Sequence, residues 1–287
     1  MNAGLRNTII SVFGLAFASI HCNTKVEKLD LKSPDGYNMR SASQIKLPLE
    51  LDEISGVAYY PSDSSVFAIN DEKGWLYKIK RGTKIKSWKF SKGADFEDVV
   101  LLDSVFYVLQ SNGNIIRLSF SVSAQNAVAV QQYYFDQQGD SKNEFEILYY
   151  DSTKQKLILI CKDCESDKKK SLTTFSFDPF IGKYTGSPFS INVKEIAATM
   201  GKEKMEFKPS AASINPKNGL LYIISAINKL LVVTDVNGNF KNAYQIDPDI
   251  FKQPEGLSFT PSGGMIVSNE SAGTGVADIL FFSYNKK

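Results

Sequence analysis

Short strand-like apolar runs, separated by turn residues, recur along this chain. Five of them open on Ser or Glu followed by small and apolar residues: Ser55 to Tyr59, Glu97 to Leu101, Glu146 to Tyr150, Ser210 to Ile214 and Glu255 to Phe259. Turn clusters follow each, including Pro61-Ser62-Asp63, Asp151-Ser152-Thr153 and Pro261-Ser262-Gly263-Gly264, whose backbone preferences end a strand. Behind the turns lie second runs (Val66 to Asn70, Val105 to Gln110, Lys156 to Cys161, Leu220 to Ser225, Gly264 to Asn269) and then third runs (Trp75 to Lys80, Asn114 to Phe120, Leu172 to Phe177, Lys229 to Asp235, Asp278 to Tyr284). Fourth runs are visible in three units, at Lys84 to Phe90, Val128 to Phe135 and Asn242 to Ile246. The third unit is longer; its extra length holds the charged segment Glu165 to Lys170 and a short helix expected near Lys194 to Met205.

Self-similarity at this spacing points to repeated sheets. The fifth unit has only three strands, and a spare strand lies at Ser43 to Leu51. If that strand completes the last sheet, the ring closes and no edge is left open. The expectation is therefore all-β: a five-bladed β-propeller over residues 41–287, closed by an N-terminal strand. A six-bladed ring, with a blade hidden in the long third unit, is the alternative.

The first 22 residues depart from the pattern. Arg6 supplies a positive start, and Thr8 to Ile20 is apolar but short for a membrane span, so residues 1–22 read as a secretory signal. Ala16-Phe17-Ala18 fits an ordinary cleavage site. Ser19-Ile20-His21-Cys22 resembles a loose lipoprotein box that would place a lipid on Cys22, although the usual Leu is missing. We favour the lipoprotein reading; a retained anchor is a third option. Residues 23–40 are polar and are expected to be a tether. This makes the membrane, reached through an N-terminal lipid or anchor, an expected partner. The protein would face the periplasm or exterior from the cell membrane or outer membrane.

Net charge is +2 and no basic tail or face stands out, which argues against nucleic acid as a partner. The one His is His21, inside the leader, so the folded part lacks Ser-His-Asp and Cys-His catalysis and His-ligated zinc. Cys161 and Cys164 form a single C-x-x-C, which in an exported chain suggests a local disulfide or two idle thiols. Asp167-Lys168-Lys169-Lys170 reads as a solvated loop.

The repeat itself supplies the candidate chemistry. In a propeller the first strand of each blade lies nearest the axis, so Ser55, Glu97, Glu146, Ser210 and Glu255 should face the channel at one height. Two unit charges ~4 Å apart repel by about 4 kcal/mol at an effective dielectric near 20. Three carboxylates there must take up protons or hold a cation. The donors are all oxygen, which suits calcium better than zinc or magnesium. A hydrated channel with partly protonated glutamates is the competing expectation. Glu53 and Asp95 precede ring positions by two residues and should face the same side. Asn70, Asp71, Glu72, Gln110, Ser111, Lys162, Asp163, Ser225, Asn269 and Glu270, at the ends of second strands, could add a second layer of polar groups or a ligand pocket. Of these, Asp71, Glu72 and Glu270 are weak catalytic candidates.

Glu53-Ile54-Ser55-Gly56, Asn70-Asp71-Glu72-Lys73-Gly74, Asp95-Phe96-Glu97-Asp98, Lys208-Pro209-Ser210-Ala211 and Gln253-Pro254-Glu255-Gly256 resemble motifs of the SdiA-regulated (YjiK/CarP-like) bacterial envelope proteins. The resemblance runs from about Leu47 to Tyr284. It implies a five-bladed propeller with a calcium site, linked to the envelope, with roles in calcium homeostasis or phytase-like hydrolysis suggested for relatives. A fainter resemblance is to the calcium-activated nucleotidases, whose axial Ser, Glu, Glu, Ser, Glu series Ser55, Glu97, Glu146, Ser210 and Glu255 follow. Their Asp-Asp-Arg-Thr-Gly motif is replaced here by Asn70 to Gly74, which loses the phosphate-binding Arg. The expected role is a calcium-binding scaffold module with an unidentified small-molecule or protein ligand. The alternative is a calcium-dependent phosphate-ester hydrolase.

Overall fold

The computed structural model describes residues 31–119, 129–136, 143–271, 273 and 275–285. The expected leader with Cys22, and residues 23–30 of the expected tether, lie outside the described residues. Strand β1 (Ser43–Lys46) precedes the first blade, made of β2 (Ile54–Tyr60), β3 (Ser65–Asn70), β4 (Trp75–Ile79) and β5 (Lys86–Lys89). The second blade is β6 (Phe96–Leu102), β7 (Val105–Gln110), β8 (Ile115–Ser119) and β9 (Ala129–Tyr133). The third is β10 (Glu144–Asp151), β11 (Lys156–Asp163) and β12 (Ser171–Asp178), with an outer edge shared by β13 (Lys183–Tyr184) and β14 (Ser190–Asn192). After helix α1 (Val193–Thr199) come β15 (Ala211–Ile214), β16 (Leu221–Ser225), β17 (Leu230–Thr234) and β18 (Phe240–Gln245) as the fourth blade. The fifth is β19 (Pro254–Phe259), β20 (Met265–Asn269) and β21 (Asp278–Phe282), completed by β1. Every pairing within a blade is antiparallel, and the first strands touch in a closed cycle, β2 to β6 to β10 to β15 to β19 and back to β2. The chain is a five-bladed β-propeller.

Closure follows the expected route, with a shorter strand. β1 pairs with β21 from Ser43 opposite Phe281 to Lys46 opposite Asp278. It stops there because Pro48 has no N–H to offer a ladder, and Leu49–Leu51 turn as a 3₁₀ segment that buries Leu51. Within the span expected to be a tether, Tyr37 and Met39 are buried. The Tyr37 hydroxyl donates to the Gly263 carbonyl (2.6 Å) and accepts from the Asn215 side-chain amide (2.9 Å). Its ring packs edge-on against Tyr284 and Tyr222.

The core is divided among the blade interfaces. Phe67, Phe96 and Phe106 fill the space between the first and second blades, and Phe145, Phe175 and Phe177 that between the second and third. Ile147, Ile160, Ile223 and Val232 pack the third against the fourth. A flat sheet buries one face only; a blade buries both against its neighbours, which explains the continuous apolar runs of the second and third strands. The helix is shorter than expected. Asn192 caps it by accepting from the Lys194 N–H (3.0 Å), and Gly201, at φ +66°, ends the segment in the left-handed region.

Candidate metal centre on the propeller axis

Four first strands carry a bulge at the position the repeat singles out. Pairing slips between Ile54 and Val57, between Phe96 and Asp98, between Phe145 and Ile147, and between Pro254 and Gly256. Ser55, Glu97, Glu146 and Glu255 lie at these slips. A bulge bends its strand and re-aims a side chain. Gly56 and Gly256 follow two of them because a Cβ there would strike the next blade: Asp98 and the Val99 N–H in one case, the Ser55 carbonyl in the other.

A repeated backbone stitch brings these starts together with the ends of the second strands. Asp71 donates its N–H to the Glu53 carbonyl (3.2 Å), and its own carbonyl accepts from Phe96 of the next blade (2.7 Å). Ser111 does the same between Asp95 (3.0 Å) and Phe145 (2.8 Å). Glu270 donates to Gln253 (2.9 Å), and Ser271 reaches across to the Asp52 carbonyl (2.8 Å).

The pocket so formed holds about 430 Å³. Its walls carry eight carboxylates (Glu53, Asp71, Asp95, Glu97, Glu144, Glu146, Glu255 and Glu270) and one ammonium, that of Lys162. Lys162 donates to Glu146 Oε1. Burial works against its charge, yet Glu146, Glu97 and Glu255 hold it above the usual lysine value. The carboxyls are displaced upward. Burial, then Glu146 and Asp95, pushes Glu97 up, and it shares a hydrogen bond with Glu146. Burial also raises Glu146, against the opposing pull of Lys162. Glu255 is pushed up to about 8 by burial, Glu146 and Glu270. Burial and the neighbouring acids take Glu270 to about 7 and Asp71 to about 6.

Not every expected residue joins the pocket. Ser210 is buried, and its hydroxyl donates to the Pro254 carbonyl of the fifth blade (2.6 Å) and accepts from the Ala226 N–H (3.2 Å). Ser55 lines the pocket, but its hydroxyl also points to the neighbouring blade, at Phe96 O (2.8 Å) and Glu97 O (2.9 Å). Asn70 is fully buried and shapes the turn after β3 by accepting from the Glu72 and Lys73 N–H groups. Asn269, also fully buried, donates to Ile250 O and Asp278 Oδ1. Asp163 is exposed and pairs with Lys208 (3.2 Å), and Glu72 is exposed. Asn112, Asn143, Glu144 and Gln253 also line the pocket and are not among the candidates the repeat singles out. Glu144 and Gln253 precede a ring residue by two positions, as Glu53 and Asp95 do, so extending that rule to the third and fifth blades finds them; in the fourth it gives Lys208, which pairs with Asp163 and Glu206 instead.

The donor set suits a hard cation: all oxygen, with carboxylates far in excess of ammonium. No three of these carboxylates bring oxygens within 4.8 Å of one another among the described residues. Binding an ion would therefore draw the side chains inward. The cluster that meets that distance is Cys161, Cys164 and Asp167, but the cysteines are joined as a disulfide and offer no thiolate.

A closed ring of five blades around a carboxylate-lined axial pocket defines the molecule as a β-propeller with an acidic centre. The chain belongs to the SdiA-regulated family, whose model matches residues 33–272. Among solved structures its fold is similar to glutaminyl cyclase of Myxococcus xanthus, with a TM-score of 0.56 and 12% identity over 85% of this chain and 97% of that one. It is also similar to the soluble aldose sugar dehydrogenase of Escherichia coli, with a TM-score of 0.55 and 12% identity over 85% and 100% of the two chains. At such identities the likeness is one of fold. No curated protein matches the chain.

Proposed function

We propose that the protein is an exported, envelope-associated calcium-binding propeller that serves as a binding or scaffold module, with a part in calcium homeostasis. The observation that carries this reading is the convergence of Glu97, Glu146 and Glu255 from three blades on one pocket, with Lys162 as its single ammonium. Glu97, Glu146 and Glu255 would hold the ion, Ser55 would offer a further oxygen, and Asp71, Asp95 and Glu270 would add charge around it. A bound cation would offset the burial and mutual repulsion that raise the pKa values of these carboxyls. It also ties three blades together at the point where they meet.

A second reading, a calcium-dependent phosphate-ester hydrolase, draws on Asp71 and Glu270. Their values of about 6 and about 7 sit near neutrality, where a general acid or base works best. The surplus of carboxylates disfavours a phosphate ester in the absence of metal, so the scaffold reading is preferred. Metal analysis of the purified protein, with thermal melts before and after chelation, tests the first. Calcium-dependent phosphate release from nucleotides or phytate, lost in Glu97→Gln, would favour the second.

A further inference from the structure

The third blade carries a second cavity, of about 580 Å³, away from the axial pocket. One wall is the loop Lys168-Lys169-Lys170; the others are α1 and the segment Glu203 to Glu206 that follows it. Five lysines and two glutamates line it, leaving a local charge of +3 on a chain whose total is +2. Lys169 pairs with Glu206 (2.8 Å). Lys168, Lys170, Lys194 and Lys204 are exposed and have no side-chain partner among the described residues. Beneath them lie Val193 and Ala197, both almost wholly buried in the core against the fourth blade, and the half-buried Met205; with the lysines' own methylene stems they make the apolar floor.

The loop is held in a costly shape. Lys168 and Lys169 sit at φ +44° and +60°, a region that long side chains rarely occupy. Two devices keep them there. The Cys161–Cys164 disulfide ties the approach to the loop. The buried Asp167 carboxylate accepts from the Thr173 N–H (3.0 Å) and the Ser171 hydroxyl (3.1 Å) on the strand that leaves it. Strained backbone that its surroundings over-determine is a feature of ligand sites.

We propose that this cleft binds a single anionic amphiphile, its phosphate or carboxylate head among the lysines and its aliphatic part over Val193, Ala197 and Met205. The unpaired ammonium groups select negative charge, and the apolar floor rewards a hydrocarbon that a bare anion lacks. The volume is that of a small-molecule site. A flat bilayer surface has no use for such a hollow, which favours a discrete molecule over a membrane. This inference does not depend on the axial reading.

The test is calorimetric titration of the full protein with dodecyl phosphate below its micelle concentration, beside inorganic phosphate and the uncharged dodecyl maltoside. Dodecyl phosphate should bind at least about tenfold more tightly than either control. The exposed triple variant Lys168→Gln/Lys170→Gln/Lys194→Gln should lose about tenfold or more in affinity while its melting temperature stays put. Inorganic phosphate binding as well as dodecyl phosphate would reduce the cleft to a plain anion site and overturn the proposal. Equal binding of dodecyl maltoside, or an unchanged affinity in the variant, would overturn it too. So would association with phosphatidylglycerol vesicles without any binding of the monomeric probe.

Discussion

The axial pocket and the third-blade cleft are opposites built on one scaffold. The first gathers eight carboxylates around one lysine; the second sets five lysines against two glutamates. They also arise in opposite ways. Repetition makes the pocket: equivalent bulges in successive blades each deliver a side chain to the axis. Departure from repetition makes the cleft, because among the described residues only the third blade has the added loop and helix. A ring concentrates what its units share at the centre, and it carries what one unit adds at the rim.

The largest expected effect separates the two regions by metal and by pH. Calcium at about 100 times its dissociation constant should stabilise the protein by about 2.7 kcal/mol, roughly 5–10 °C in melting temperature for a domain of this size. Glu97→Gln/Glu146→Gln should abolish the shift, whereas the triple lysine variant of the cleft should keep it. Differential scanning calorimetry checks both, and no shift at millimolar calcium would refute the axial site. Without metal, stability should fall as pH rises from about 5 to about 8. Glu255 and Glu270 keep protons in the fold to about 8 and about 7, where unfolded glutamates, near 4.3, have lost theirs. Folding then takes up protons, so raising pH opposes it. Calcium should flatten this slope.

A somewhat smaller effect is expected from Cys161→Ser/Cys164→Ser. Loss of a short-loop disulfide costs about 1–2 kcal/mol, readable by urea denaturation. Because the disulfide loop encloses Lys162 and ends three residues before Asp167, both calcium and dodecyl phosphate should bind more weakly. A loss confined to one ligand would show the two regions to be independent. Next comes Lys162→Met, which removes the ammonium that competes for Glu146. The metal-free protein should melt lower, and calcium should bind about tenfold more tightly, or about 1.4 kcal/mol, by isothermal titration. Smallest is the stability change from the triple lysine variant, within about 0.5 kcal/mol, since these side chains touch water rather than protein.

How much was legible in the sequence follows the same division. The five runs opening on Ser55, Glu97, Glu146, Ser210 and Glu255 correspond to the inner strands, because a repeated backbone needs repeated small and apolar residues. The closing strand was legible from a count of strands per unit. What escaped was local. Pro48 ends the closing strand early. Pro179, Gly182, Gly186 and Pro188 interrupt the third blade's outer edge, so β13 and β14 are too short to show a period. Ser210 aligns with Ser55, yet only Ser55 lines the pocket; both hydroxyls donate to carbonyls of the neighbouring blade, and no spacing rule says which way a hydroxyl turns. The role of Lys162 escaped for a related reason. A second-strand end reads as a polar terminus until the fold shows three glutamates facing it. The lysine run at 168–170 carries meaning only beside α1, an adjacency that depends on the pairing of Ser171 to Thr173 with β14.

Ring closure by β1 has a mechanical consequence. A pull on the chain at residue 31 would reach Tyr37 and Met39 before it reached the four residues of β1. Tension would first have to extract an aromatic plug wedged between Tyr222 and Tyr284. If a lipid on Cys22 or a retained anchor, as expected from the sequence, fastens this protein to a membrane, that plug would be the shock absorber protecting the seam of the ring.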